Sequence, residues 1–117
     1  MNDFGLGMVE SRFADIIWAN APLSTQRLVQ LCEAELQWKR TTTYTVLKRL
    51  SERGLFRNDG GQITALISRE EFYARRSQQF VEESFGGSLP AFLAAFASHK
   101  PLTAQEVEEI RRLIEEV

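Results

Sequence analysis

The sequence predicts a mainly α fold with one small β-hairpin, and three observations carry that prediction. Apolar residues recur at helical spacing in stretches divided by proline, glycine or a capping serine or threonine. One stretch, LFRNDGGQITALI at 55–67, instead holds two short β-prone runs around Asp59-Gly60-Gly61, the composition of a tight hairpin. The order is helix, helix, helix, hairpin, then three more helices, in 117 residues without repeats, low-complexity tracts or long linkers.

Taken in order, the first helix is expected over 9–20, with Val9, Phe13, Ile16 and Ile17 at helical spacing and Pro22 as its stop. Ser24 or Thr25 can cap a second helix carrying Leu28, Leu31 and Cys32. A looser segment, AELQWKR, leads to a third helix over 40–53. Its start is unusual, because threonine favours strands over helices. Thr43, Val46, Leu47 and Leu50 nevertheless form one stripe, and Gly54 stands where a left-handed helix end belongs. The hairpin runs are 55–58 and 62–67. Ser68-Arg69-Glu70-Glu71 is a capping box opening a fourth helix to about Phe85, and Gly86-Gly87 ends it. Ser88 can cap a fifth helix with Pro90 in its first turn. Thr103-Ala104-Gln105-Glu106 is a second capping box, opening a sixth helix with Val107, Ile110, Leu113, Ile114 and Val117 on one face. A compositional boundary near residue 68 suggests two domains, 1–67 and 68–117.

Composition bounds the function. Hydrophobic content of 44% and charged content of 26% are ordinary for a soluble globular chain. The one cysteine, Cys32, excludes an intrachain disulfide and a four-cysteine zinc site. The start, MNDFGLGMVES, lacks the features of a signal peptide, and the longest apolar run, AFLAAFA, is too short to cross a membrane, so a cytoplasmic protein is expected. The net charge of −2 is unevenly spread. Residues 39–58 hold six bases against one acid, whereas 68–117 hold six bases against nine acids. A basic stretch on an otherwise acidic chain is either an electrostatic footprint for phosphates or a solvated helix face.

The third helix joins that basic stretch to a polar surface. A second helix, a short connection, a third helix and a hairpin make a winged helix-turn-helix candidate, in which the third helix enters the major groove of double-stranded DNA. At about 100° per residue, the stripe of Thr43, Val46, Leu47 and Leu50 turns inward. Thr41, Thr45, Lys48 and Glu52 then face outward, with Thr42 and Arg49 on one flank and Arg40 and Tyr44 on the other. Threonine hydroxyls and methyls suit base edges, and Lys48 and Arg49 reach guanine or phosphate. The candidate DNA-binding set is Lys39, Arg40, Thr41, Thr42, Tyr44, Thr45, Lys48 and Arg49, with Arg57, Asn58 and Gln62 on the hairpin. The other class consistent with the pattern is a protein-interaction module whose polar face meets a partner protein.

Other chemistry is weakly represented. Cys32 reads as a small core residue, His99 as a loop residue without ligand partners, and Trp18 and Trp38 as packing residues. The glutamates come in adjacent pairs such as Glu108-Glu109, which diverge on a helix and form solvated faces, not catalytic dyads. No phosphate-binding glycine loop, H-E-x-x-H or nucleophile elbow is present. No enzyme activity, metal, cofactor or small-molecule ligand is expected.

The fifth helix, SLPAFLAAFASH, is apolar nearly all round and needs cover on all sides. The tail either folds back on the winged domain or pairs with a second copy, and pairing fits a palindromic operator. The expected homodimer interface comprises Phe72, Phe80, Phe85, Leu89, Phe92, Leu93, Phe96, Ile110, Leu113 and Ile114.

The run WKRTTTYTVLKRLSERGL at 38–55 resembles the W-x-x-x-T-V-Y-T-L-L-x-R-L-x-x-K-G-L core of the penicillinase-repressor family, which includes β-lactamase, methicillin-resistance and copper-responsive repressors. The likeness extends to SREEF at 68–72, SFGGSL at 84–89 and LTAQEVEEIRRLI at 102–114. It implies a winged-helix transcriptional repressor, dimeric through its C-terminal helices, with Thr41, Thr42 and Thr45 at the groove and Arg49 at the family's recurrent arginine. Three departures stand out. Residues 68–117 lack the cysteines of copper-responsive members; Ala95–Phe96 replaces the Asn–Phe bond at which antibiotic-responsive members are cleaved; and Asp59 stands at the wing tip, where a base would help.

Overall fold

The computed structural model describes residues 5–117, so the MNDF start weighed above as a leader lies outside the described residues. The described residues form six helices, as the sequence predicts, and a three-stranded antiparallel sheet in which the expected hairpin is joined by one further strand. They fall into two compact units, one ending at Ser77 and the other Gln78–Val117.

In the first unit, α1 (Met8–Asn20) buries Phe13, Ala14, Ile16 and Ile17. Val9 is 49% exposed, and Leu6, before the helix, enters the core in its place. The chain then adds a strand that no sequence period announced, β1 (Leu23–Ser24), whose two residues are too few to show one. α2 (Thr25–Leu36) begins at Ser24, whose hydroxyl accepts from the Arg27 N–H at 3.0 Å. α2 buries Leu28 and Cys32, with Leu31 half-buried.

α3 (Arg40–Glu52) buries the expected stripe, Thr43, Val46, Leu47 and Leu50. It ends at Gly54, at φ 84°, where the Leu55 N–H reaches back to the Leu50 carbonyl and the Gly54 N–H to that of Ser51. This paired reach-back is the Schellman arrangement, and Leu50 and Leu55 are both buried beside it. β2 (Phe56–Asp59) and β3 (Gln62–Ala65) follow, joined by Gly60-Gly61 at φ 63° and 91°, the two positive values a two-residue hairpin turn needs. β3 is central: Leu23 pairs with Ile63 on one side, and Asn58 with Ile63 on the other.

The fourth helix, α4 (Arg69–Phe85), starts at Ser68, whose hydroxyl accepts from the Glu71 N–H at 3.1 Å. The first unit runs past the compositional boundary at residue 68 because the first turn of α4 packs into it. Phe72, expected on an interface between copies, is instead fully buried, 5.5 Å from the Trp18 ring and 5.2 Å from that of Tyr73. Trp18 also meets Phe56 edge-on at 5.5 Å and donates its indole N–H to the Ile67 carbonyl at 2.9 Å. A buried ring held by this cluster has no surface left to offer a partner.

The second unit holds the rest of α4 with α5 (Leu89–His99) and α6 (Ala104–Glu115). His99 is the last residue of α5, where a base suits the helix dipole, and not a loop residue. Phe80, Phe85 and Phe92 pack ring against ring at 5.6–6.0 Å, and Phe96 lies 6.3 Å from Phe92. Even so, α5 and α6 bury no residue fully. Phe80, Leu89, Phe96, Val107, Leu113 and Ile114 are exposed, whereas Phe85, Phe92, Leu93 and Ile110 are half-buried. Among the described residues no helix is long and apolar enough to cross a membrane.

Candidate nucleic-acid interface

The α2–α3 connection sets how α3 is presented. Gln37 takes a left-handed conformation, φ 55°, so that its N–H meets the Glu33 carbonyl at 3.2 Å and the chain reverses in three residues. Trp38 then stacks on Phe13 of α1 with ring centroids 5.3 Å apart. A large aromatic pinned to the core immediately before Lys39 fixes the first turn of α3.

Every member of the candidate set is exposed: Lys39, Arg40, Thr41, Thr42, Tyr44, Thr45, Lys48 and Arg49 on α3, and Arg57, Asn58 and Gln62 on the β2–β3 hairpin. The inward stripe and this outward face divide α3 as the helical period requires. α2, α5 and α6 each begin with a serine or threonine whose oxygen accepts a helix N–H. α3 begins at Lys39, with no side-chain cap. Its first N–H groups and its dipole therefore face solvent beside two bases, an arrangement that suits a phosphate oxygen.

The structure also shows which of these side chains are already engaged. The Thr45 hydroxyl donates to the Thr41 carbonyl at 2.9 Å, so its outward offering is the methyl group and an acceptor oxygen. Arg40 lies over the Tyr44 ring, 5.7 Å from its centroid. The Tyr44 phenol is held below its ordinary range by a hydrogen bond with Thr25 and then by Arg40. Thr25 in turn donates its N–H to the Gly61 carbonyl at 2.9 Å, so the first residue of α2 links the hairpin tip to α3. On the hairpin, the Asn58 side-chain oxygen accepts from the Gly61 N–H at 3.0 Å, and Arg57 lies 3.7 Å from the Asp59 carboxylate. Asn58 shapes the turn, and Asp59 draws charge away from Arg57.

One ion pair and one hydrogen bond tie α3 and its C-terminal end to the N-terminal part of the chain. Arg49 Nε lies 3.2 Å from Glu10 Oε2, and Arg53 donates to the Gly5 carbonyl at 2.8 Å. Neither Glu10 nor Thr25 belongs to the candidate set read from the sequence. Thr25 was visible only as a helix-start residue, and nothing in the sequence singled out Glu10. Their partners lie 19 and 39 positions along the chain, beyond any local period. A hollow of about 490 Å3 among Asp15, Trp18, Ala21, Ser68 and Arg69 involves no residue of α3.

The sequence profile of the penicillinase repressor matches residues 6–116. The chain belongs to the penicillinase repressor family. Its relatives include the methicillin resistance regulatory protein MecI of Staphylococcus aureus, 21% identical over 115 residues that cover 95% of this chain and 94% of that one. The penicillinase repressor of Bacillus licheniformis is 23% identical over 105 residues, 86% of this chain and 82% of the relative. That of Staphylococcus aureus is 19% identical over 116 residues, 96% and 92% of the two chains. In this penicillinase repressor family member, Ala95 and Phe96 lie within α5 and both side chains are exposed.

Proposed function

We propose that the chain is a sequence-specific transcriptional repressor that binds double-stranded DNA as a homodimer on a dyad operator, with α3 in the major groove. The observation that carries this reading is the two-sided character of α3. Four residues are buried in the core, and eight polar, basic or aromatic residues from Lys39 to Arg49 stand in solvent around an uncapped helix start. Family membership supports the repressor function.

Thr41, Thr42 and Thr45 supply short groups that let the helix backbone approach the groove floor, and Arg49 supplies a planar fork for a guanine edge. Lys39, Arg40 and Lys48 supply charge for phosphates, with Arg57 and Gln62 flanking from the hairpin. The apolar surface of the second unit supports pairing of two copies, because α5 and α6 lack a fully buried residue of their own. A cytoplasmic setting follows from a DNA target.

Selection from a pool of randomised duplexes tests this directly. The expected product is a sequence with twofold symmetry whose binding weakens steeply with added salt, as counterion release requires. Retention of no duplex above the non-specific level would remove the reading, and salt-insensitive capture by a protein instead would favour an interaction module.

A further inference from the structure

Arg49 is tied to the first helix by Glu10, and the two ends of that tie are unequal. The Arg49 side chain is 55% exposed and the Glu10 side chain only 25%. Glu10 is further anchored by its other oxygen, Oε1, which accepts from the Gly7 N–H at 3.2 Å and caps the start of α1. The carboxylate is thus a fixed post, and the arginine is the movable partner. A half-exposed pair of this kind adds little to stability, so its consequence lies in where the guanidinium points. The closest approach is through Nε, which keeps the paired Nη donors of the fork for a second planar acceptor.

We propose that Glu10 is a positioning residue for DNA recognition: it holds Arg49 in one orientation and offsets its charge, so that Arg49 favours a base edge over an arbitrary phosphate. The proposal rests on the DNA-binding reading of α3 and extends the recognition machinery to α1. A phosphate accepts a cation from almost any direction, whereas the O6/N7 edge of guanine accepts a guanidinium in one plane. A carboxylate beside Arg49 penalises the first kind of contact through competition for the charge. It does not penalise the second, provided the fork is already aligned.

The test compares the intact protein with Glu10→Gln, Arg49→Ala and the double variant. The probes are a duplex enriched by the unmodified chain and a scrambled duplex of the same length. Glu10→Gln keeps a carbonyl oxygen for the Gly7 N–H and removes only the charge. It is expected to bind the scrambled duplex more tightly and to steepen the salt dependence by about one phosphate contact. The preference for the enriched duplex should fall roughly tenfold, the scale of one good base contact. In the Arg49→Ala background the same change should have no further effect. A preference and salt slope equal to those of the unmodified chain would overturn the proposal, as would an equal effect of Glu10→Gln with or without Arg49. Arg49→Lys gives a second measurement on an unaltered α1: it keeps the charge and loses the fork. It should lose preference at an unchanged salt slope, and full preference would overturn the proposal as well. If the unmodified chain enriches no duplex, the DNA reading itself fails and the proposal falls with it, a result visible before any variant is made.

Discussion

Thr43 is the residue at which the demands on α3 conflict. Its position in the stripe places it in the core at 1% exposure, and its hydroxyl has no hydrogen-bond partner of good geometry there. The neighbouring polar group is the Cys32 thiol, whose pKa is pushed up by burial and partly offset by the Thr43 hydroxyl. A thiol is a weak donor, so most of the cost of burying the hydroxyl stands. Thr43→Val keeps the shape and removes the orphan oxygen. Stability is expected to rise by about 1 kcal/mol, read as a higher denaturant midpoint at an unchanged slope. A lower midpoint would mean that the threonine–thiol contact is stronger than its chemistry suggests. The same residue separates the four threonines of the run. Thr43 is structural, Thr45 spends its hydroxyl on the Thr41 carbonyl, and Thr41 and Thr42 stand in the first, uncapped turn.

Among the elements, the helix ends carry the clearest signals. Gly54 closes α3 at φ 84°, and a Cβ built there meets nothing within 4 Å. Gly54→Ala therefore introduces backbone strain and no clash, and is expected to lower stability by about 1 kcal/mol. A thermal melt checks this, and an unchanged midpoint would show that the turn relaxes freely. At α6, Thr103 and Glu106 cap one another: Glu106 accepts from the Thr103 N–H at 2.9 Å, and Thr103 Oγ1 accepts from the Glu106 N–H at 3.1 Å. The Thr103 N–H beside its carboxylate, and then the Thr103 hydroxyl, lower the Glu106 pKa. A depressed carboxylate adds stability that is present above its unfolded pKa and lost as pH falls through the folded value. Acidification should therefore loosen α6 below about pH 4, near the unfolded glutamate value. Thr103→Ala keeps the backbone N–H and removes only the hydroxyl, so it should move the Glu106 titration part of the way up toward that value, and carboxyl chemical shifts followed against pH read the change.

These caps and stripes were legible because each is a local code. Ser24, Ser68, Ser88 and Thr103 stand at the helix starts they predict, and the glycine pair marks the hairpin turn. What stayed hidden depends on residues far apart. β1 exists because Leu23 and Ser24 find Ile63 and Gln62. Phe72 looked like one more aromatic on an amphipathic helix until Trp18 enclosed it. The exposure of the α3 face was readable from its period. Its internal couplings, Arg49 with Glu10 and Tyr44 with Thr25, were not, because no periodicity links side chains across elements.

At the scale of the molecule, the two units have opposite deficits. The first has a closed core of Phe13, Phe56, Phe72 and the aliphatic residues around them, with a polar face to spare. The second has aromatic contacts but leaves Leu89, Phe96, Leu113 and Ile114 in solvent. A helix pair with so much apolar surface uncovered gains most from a second copy, because in a twofold interface each residue is counted twice. Burying one leucine contributes about 1.5–3 kcal/mol, so a charge at Leu113 in both copies removes roughly twice that. Leu113 is 65% exposed, so Leu113→Glu should leave the fold of the single chain intact. The dimer dissociation constant is expected to rise roughly 100-fold or more, measured by sedimentation over a concentration series. Binding to a symmetric duplex should weaken in step, because two recognition helices held one helical turn apart read two half-sites as one event. Binding to an isolated half-site depends on α3 and the hairpin of one first unit and should not change. A mass that stays at two chains would exclude Leu113 from the contact. A single-chain mass for the unmodified protein would remove the dimer itself. Loss of half-site binding would show that the second unit shapes α3, and not merely its copy number.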